Sequence, residues 1–155
     1  MKGVRSEWRA IQETMTAVAL ARRDVLGAAA LGISNLLCLS GDHQVFGDHP
    51  QAKNVFDVDS IQLLKIVKQM RDDAKFSGGK DIDGPPAMFI GAAANPFADP
   101  FKIQVPRLAK KVAAGAQFIQ TQYCYDVPRL AAFMERAGDL GLPERAFILD
   151  RKSVV

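Results

Sequence analysis

The sequence predicts an α/β fold in which strands and helices alternate around a parallel sheet, and three observations carry that prediction. Runs of strand length recur at 35–40, 87–94, 117–124 and 146–149. Between them lie longer stretches with apolar residues at helical spacing, and that repeated order is the βα pattern. The first two runs are apolar on successive residues rather than alternate ones, which suits strands buried on both faces, as in parallel sheets.

The elements follow in order. Val18 to Leu31 (VALARRDVLGAAAL) has apolar residues at helical spacing, with Arg22, Arg23 and Asp24 together, and Gly32 closes the helix. The strand Asn35 to Ser40 stops at Gly41-Asp42, and a polar loop runs to about Asp57. Asp59 reads as the N-cap of a second helix carrying Ile61, Leu63, Leu64, Ile66, Val67 and Met70, because a carboxylate there accepts from the open N–H groups of the first turn. Ser77 to Lys80, with Pro85 and Pro86, separates this helix from the strand Ala87 to Ala94, which ends at Asn95-Pro96. A third helix runs from about Ile103 to Ala114 and closes at Gly115. Pro106 falls in its first turn, where the missing N–H costs little. The strand Gln117 to Cys124, a helix from about Val127 to Ala137, and the strand Ala146 to Leu149 complete the pattern.

At 155 residues the chain suits one domain with a real core. Its net charge of +3 is mild, and no dense run of Lys and Arg marks a nucleic-acid groove. A slightly basic surface still favours anionic ligands such as a dinucleotide or a folate tail. Cys38 and Cys124 are the only cysteines and have no CxxC spacing, which fits a reducing, cytoplasmic setting. No segment reaches the roughly 18 uninterrupted apolar residues of a membrane span, and the start, MKGVRSEWRA, lacks the apolar core of a signal peptide.

Two details turn the general α/β reading towards a barrel. No strand-to-helix turn carries a GxGxxG or Walker loop, the usual phosphate signatures of open sheets. Asp, His, Asn and Gln gather instead at the C-terminal ends of successive strands, which share one mouth in a barrel. The expectation is a partial (β/α)8 TIM barrel of about four βα units, half of the eight that close the fold. Residues 18–149 form this piece, 1–17 match it poorly, and 150–155 continue no pattern. Both ends read as cuts.

The densest polar cluster, Gly41 to Pro50, contains two GDH triplets. Their spacing is not that of a helix-borne HExxH or a zinc ribbon, so no metal is expected. Asp48 and His49 read as parts of a solvated turn. Asp42 differs, because a carboxylate at the mouth end of a buried strand is costly to desolvate without a partner or a task.

At this loop the chain resembles the methylenetetrahydrofolate reductase family, particularly its bacterial members. The residues that carry the likeness are DVLGAAALGI, LLCLSGDHQVFGDHPQAKNVFDVDSIQLL, AMFIGAAANP and LAKKVAAGAQFIQTQYCYD. The resemblance implies a flavoprotein that binds FAD in the barrel mouth, takes electrons from NAD(P)H and acts on a folate substrate. Asp42 matches the loop aspartate beside flavin and folate, where a fixed negative charge stabilises a cationic iminium form of the methylene-folate. Ser40 and Gly41 fall where the family's backbone meets the cofactor, Phe56 and Asp57 match a pair that touches FAD, and Lys111 matches a basic residue that reaches the cofactor's phosphates. Gln122 matches the glutamine that hydrogen-bonds the pterin, since an amide both donates and accepts. Asn95 stands where a tyrosine beside the cofactor is common, Asp99 where some members have histidine, and Arg107 replaces a smaller polar residue.

The same resemblance places the family's general acid before the start of this chain and a folate-stacking segment beyond its end. The 155 residues alone are therefore expected to have little activity and to associate through open sheet edges and an apolar interior. The intact parent is expected to be a homo-oligomer or to use a partner subunit. Two alternatives stay open: a non-catalytic barrel piece serving as a binding or assembly module, and a flavin or folate barrel acting on another one-carbon carrier.

Overall fold

The computed structural model of the chain describes residues 18–41, 43–48, 50–52 and 58–151. Helix α1 (Val18–Ala30) leads into β1 (Asn35–Cys38), and a 3-10 turn (Gln44–Phe46) lies in the loop beyond it. Then come α2 (Ser60–Asp72), β2 (Phe89–Ala94), a 3-10 turn (Phe101–Ile103), α3 (Gln104–Ala113), β3 (Phe118–Tyr123), α4 (Val127–Asp139) and β4 (Phe147–Arg151).

The helix ends follow from the residues that sit there. Asp59 Oδ1 accepts from Gln62 N at 2.7 Å while Gln62 Oε1 accepts from Asp59 N at 2.8 Å. That reciprocal capping box satisfies two otherwise open donors at the start of α2. At the far end of α1, Gly32 takes φ +81°, and Ile33 N and Gly32 N bond back to Ala28 O and Ala29 O. Gly115, at φ +116°, closes α3 in the same way, with Ala116 N on Lys111 O and Gly115 N on Val112 O. Both are Schellman closures that need a left-handed residue just past the helix.

All four strands are parallel and lie in the order β1-β2-β3-β4. A doubly wound sheet reverses its strand order at a switch point. Sequential order with right-handed crossovers instead puts every connecting helix on one face. The architecture is α/β, a partial (β/α)8 barrel of four consecutive strands.

The main core lies between the sheet and that helical layer. Leu36 and Cys38 from β1, Ile90, Ala92 and Ala94 from β2, and Ile119 from β3 meet Leu63, Leu64, Val67 and Met70 from α2. Leu108 and Val112 from α3 and Phe133 from α4 join them. Burying a side chain of this size stabilises the fold by about 1.5–3 kcal/mol. At the N-terminal end of the sheet, Arg71 Nη1 donates to Met88 O and to Gln117 Oε1, which also accepts from Ile90 N. One guanidinium thus ties the end of α2 to the starts of β2 and β3.

The opposite sheet face is also apolar. Leu37, Gly91, Phe118 and Phe147 form one register row across all four strands. The Phe89 ring stacks on Phe118 at 5.3 Å and lies 6.2 Å from Phe147. Burial on both faces holds for β1, where Leu36, Leu37 and Cys38 are all buried. It does not hold at β4, where Phe147 is 70% exposed and Leu149 50%; both alternate with Ile148, which packs against the core, and so lie on the face away from the helices.

Some boundaries differ from the sequence reading. β1 ends at Cys38 rather than Ser40, because the Ser40 hydroxyl accepts from Ser60 N at 2.9 Å and draws the chain towards α2. β4 reaches Arg151, which pairs with Tyr123, so Asp150 and Arg151 belong to the sheet rather than to a tail. Among the described residues, no helix is long and apolar enough to cross a membrane.

Candidate functional site at the mouth of the sheet

A pocket of about 250 Å³ opens at the C-terminal end of β2, on the side of α3. Its polar lining comes from Asn95, Asp99, Gln104, Arg107 and Lys111. Residues 104, 107 and 111 follow helical spacing, so one face of α3 presents all three side chains to the same space.

Lys111 crosses from α3 to the sheet, where its Nζ donates to Ala93 O at 2.5 Å. Burial holds its pKa below the usual lysine value, the neighbouring Arg107 lowers it further, and Asp59 partly offsets both. A half-buried lysine beside the exposed Arg107 favours an anion that would neutralise the two cations. Asn95 turns the chain out of β2, its Oδ1 accepting from Phe97 N at 3.0 Å. Gln104 Nε2 donates to Pro100 O at 3.3 Å, bracing the loop before α3. Asp99 is already engaged, because its Oδ1 accepts from Arg129 Nη2 on α4 at 2.7 Å.

Of the residues singled out from the sequence, Asn95 and Lys111 come together in this pocket. Ser40 and Gly41 lie at the mouth end of β1. Ser40 spends its hydroxyl on the first turn of α2, and Gly41 takes φ +37°. Gln122 is exposed near the end of β3, beside a register shift between Gln120 and Tyr123, and is not among the pocket-lining residues. A bulge at a strand end changes the direction of the side chains around it. Asp42, Phe56 and Asp57 lie outside the described residues, as does His49 of the second GDH triplet. His43 uses Nδ1 to accept from Val45 N at 3.3 Å, a turn contact. Among the described residues, no three His, Cys, Asp or Glu side chains cluster in a way that could hold a metal ion.

Sequence reasoning did not single out Gln104 or Arg129. Gln104 was open to detection, since it shares the helical stripe of Arg107 and Lys111. Arg129 gave no local signal, because its partner Asp99 is 30 residues away in the chain.

Set against known proteins, the chain matches the family model described as methylenetetrahydrofolate reductase over residues 11–147. That span takes in every element from α1 to α4 and the first residue of β4. No curated protein matches the chain.

Proposed function

The chain belongs to the methylenetetrahydrofolate reductase family, and from that premise we propose that it forms part of the cofactor- and folate-binding mouth of a flavin-dependent oxidoreductase of folate metabolism. In this reading the enzyme reduces 5,10-methylenetetrahydrofolate to 5-methyltetrahydrofolate, with electrons from NAD(P)H. FAD, when bound, supplies the hydride relay between donor and folate.

The observation that carries the proposal is the pairing of Lys111 and Arg107 in the pocket at the end of β2. FAD brings a diphosphate, and these cations fit it: both line the cavity, and neither has a carboxylate within ion-pair distance among the described residues. Lys111, anchored on Ala93 O, would hold the phosphates at the rim of the sheet. Asn95 and Gln104 offer amide donors and acceptors to the ribose or adenine. Gln122, at the end of the adjacent strand, would orient the pterin edge. Asp42 would supply the fixed negative charge that favours a cationic folate.

Little turnover is expected from the 155 residues alone. Reduction needs an acid at the mouth, and the one carboxylate lining the pocket among the described residues, Asp99, is held by Arg129. The exposed Phe147 and Leu149 support self-association of the chain. The test is a titration of the protein with FAD, followed by flavin fluorescence and absorbance. Saturable binding that weakens in Lys111→Met supports the proposal, and binding indifferent to Lys111 would overturn it.

A further inference from the structure

Resting on that reading of the pocket as a phosphate site, we infer that Arg129, which does not line the pocket, sets its selectivity for anionic ligands by neutralising Asp99. Asp99 shares the cavity with Lys111 and Arg107. Left unpaired, its carboxylate would cancel part of their field, compete for them within the chain, and repel an incoming phosphate.

Arg129 is well placed for this task. Its backbone is fixed in the first turn of α4, where Arg129 N donates to the N-cap Asp126 Oδ1 at 3.0 Å. From there the guanidinium reaches back to the loop between β2 and α3. Nη2 donates to Asp99 Oδ1 at 2.7 Å and to Ala98 O at 3.3 Å, and Nε donates to Pro96 O at 3.4 Å. Its Cζ lies 5.2 Å from the centre of the Phe101 ring, and Arg136 Cζ lies 4.8 Å from the same ring. A planar, forked cation can make these contacts together, whereas a lysine ammonium offers only a point charge. Asp99 remains 82% exposed, against 30% for Arg129. The pair therefore adds little to stability, and its effect falls on the charge of the cavity.

Removing Arg129 while keeping Asp99 lowers the local charge by one unit. Arg129 is a positioning and specificity-determining residue, since it acts through Asp99 and the loop.

The test compares ADP with adenosine, which lacks phosphates, on the full chain by calorimetry. Arg129→Met is expected to weaken ADP about three- to tenfold at low salt and to leave adenosine unchanged, with the difference shrinking as salt screens the site. Arg129→Met combined with Asp99→Asn is expected to restore ADP binding, which a purely structural role of Arg129 would not allow. Asp99→Asn alone, a change at an exposed side chain, is expected to bind ADP at least as well as the wild type, so the inference stays open to test even if Arg129→Met misfolds. Equal ADP affinity in wild type and Arg129→Met, failure of the double variant to recover, or weaker ADP binding by Asp99→Asn would each overturn the inference alone. A wild type that binds no ADP would instead overturn the reading of the pocket, and the inference with it.

Discussion

Lys111 Nζ donates a 2.5 Å hydrogen bond to the carbonyl oxygen of Ala93, joining the last turn of α3 to the mouth end of β2. The bond places a cation at the rim of the sheet and removes part of its hydration. Because Lys111 has a folded pKa below its unfolded value of 10.5, the unfolded chain binds the extra proton between those two values. Stability therefore rises with pH across that window. Lys111→Met is expected to lose this rise, seen as a smaller change in the urea midpoint between neutral and alkaline pH. It also leaves Ala93 O without its partner, at a cost of about 1–3 kcal/mol. A variant with the wild-type pH slope would remove Lys111 as the group responsible.

Gly91 and Phe118 are register partners on the face away from the helices. A Cβ built on Gly91 would overlap the Phe118 ring, so the ring occupies the space that the missing side chain leaves. Gly91→Ala is expected to force the ring out and destabilise the fold by about 1–3 kcal/mol, as overpacking does. Adding Phe118→Leu is expected to recover part of that loss. Thermal melts of the two single variants and the double variant measure the coupling, and strict additivity would contradict the contact.

Asp59 caps α2 and Gln62 completes the box. Asp59→Ala is expected to cost about 1 kcal/mol, while Asp59→Ser retains most of the cap. Urea denaturation of the two variants checks the order. Equal losses in both would mean that the side-chain cap contributes nothing.

The two thiols should differ sharply in reactivity. Cys38 is fully buried in the core, and burial pushes its pKa up to about 12. Cys124 is partly exposed near the mouth, with Sγ 3.2 Å from Thr121 Oγ1 and 3.2 Å from Gln122 O. Since only the thiolate attacks, a disulfide reagent at pH 8 is expected to titrate Cys124 in the folded chain and reach Cys38 only on unfolding. Fast release of two equivalents would show that the core around Cys38 opens readily.

The sequence by itself determined the succession of elements. Hydrophobic period, Asp59 as a cap, and Gly32 and Gly115 as helix stops are local features, and each acts within a few residues of itself. It also pointed to the strand ends as the place for chemistry, and Lys111 does stand there beside Asn95. The sequential parallel sheet is the one the barrel reading expected, and the tertiary structure alone decided its register, because which residues pair depends on segments far apart in the chain. It also decided which polar residues share a cavity. Asp99 and Arg129 meet only because α3 and α4 pack side by side behind β2 and β3, and no sequence period encodes a contact between a loop and the first turn of a later helix. The end of β1 was fixed in the same way: Ser40 reads as strand in sequence, yet its hydroxyl leaves the sheet for the open N–H of Ser60. An unsatisfied donor at a helix start outweighed the propensity of two residues to extend a strand.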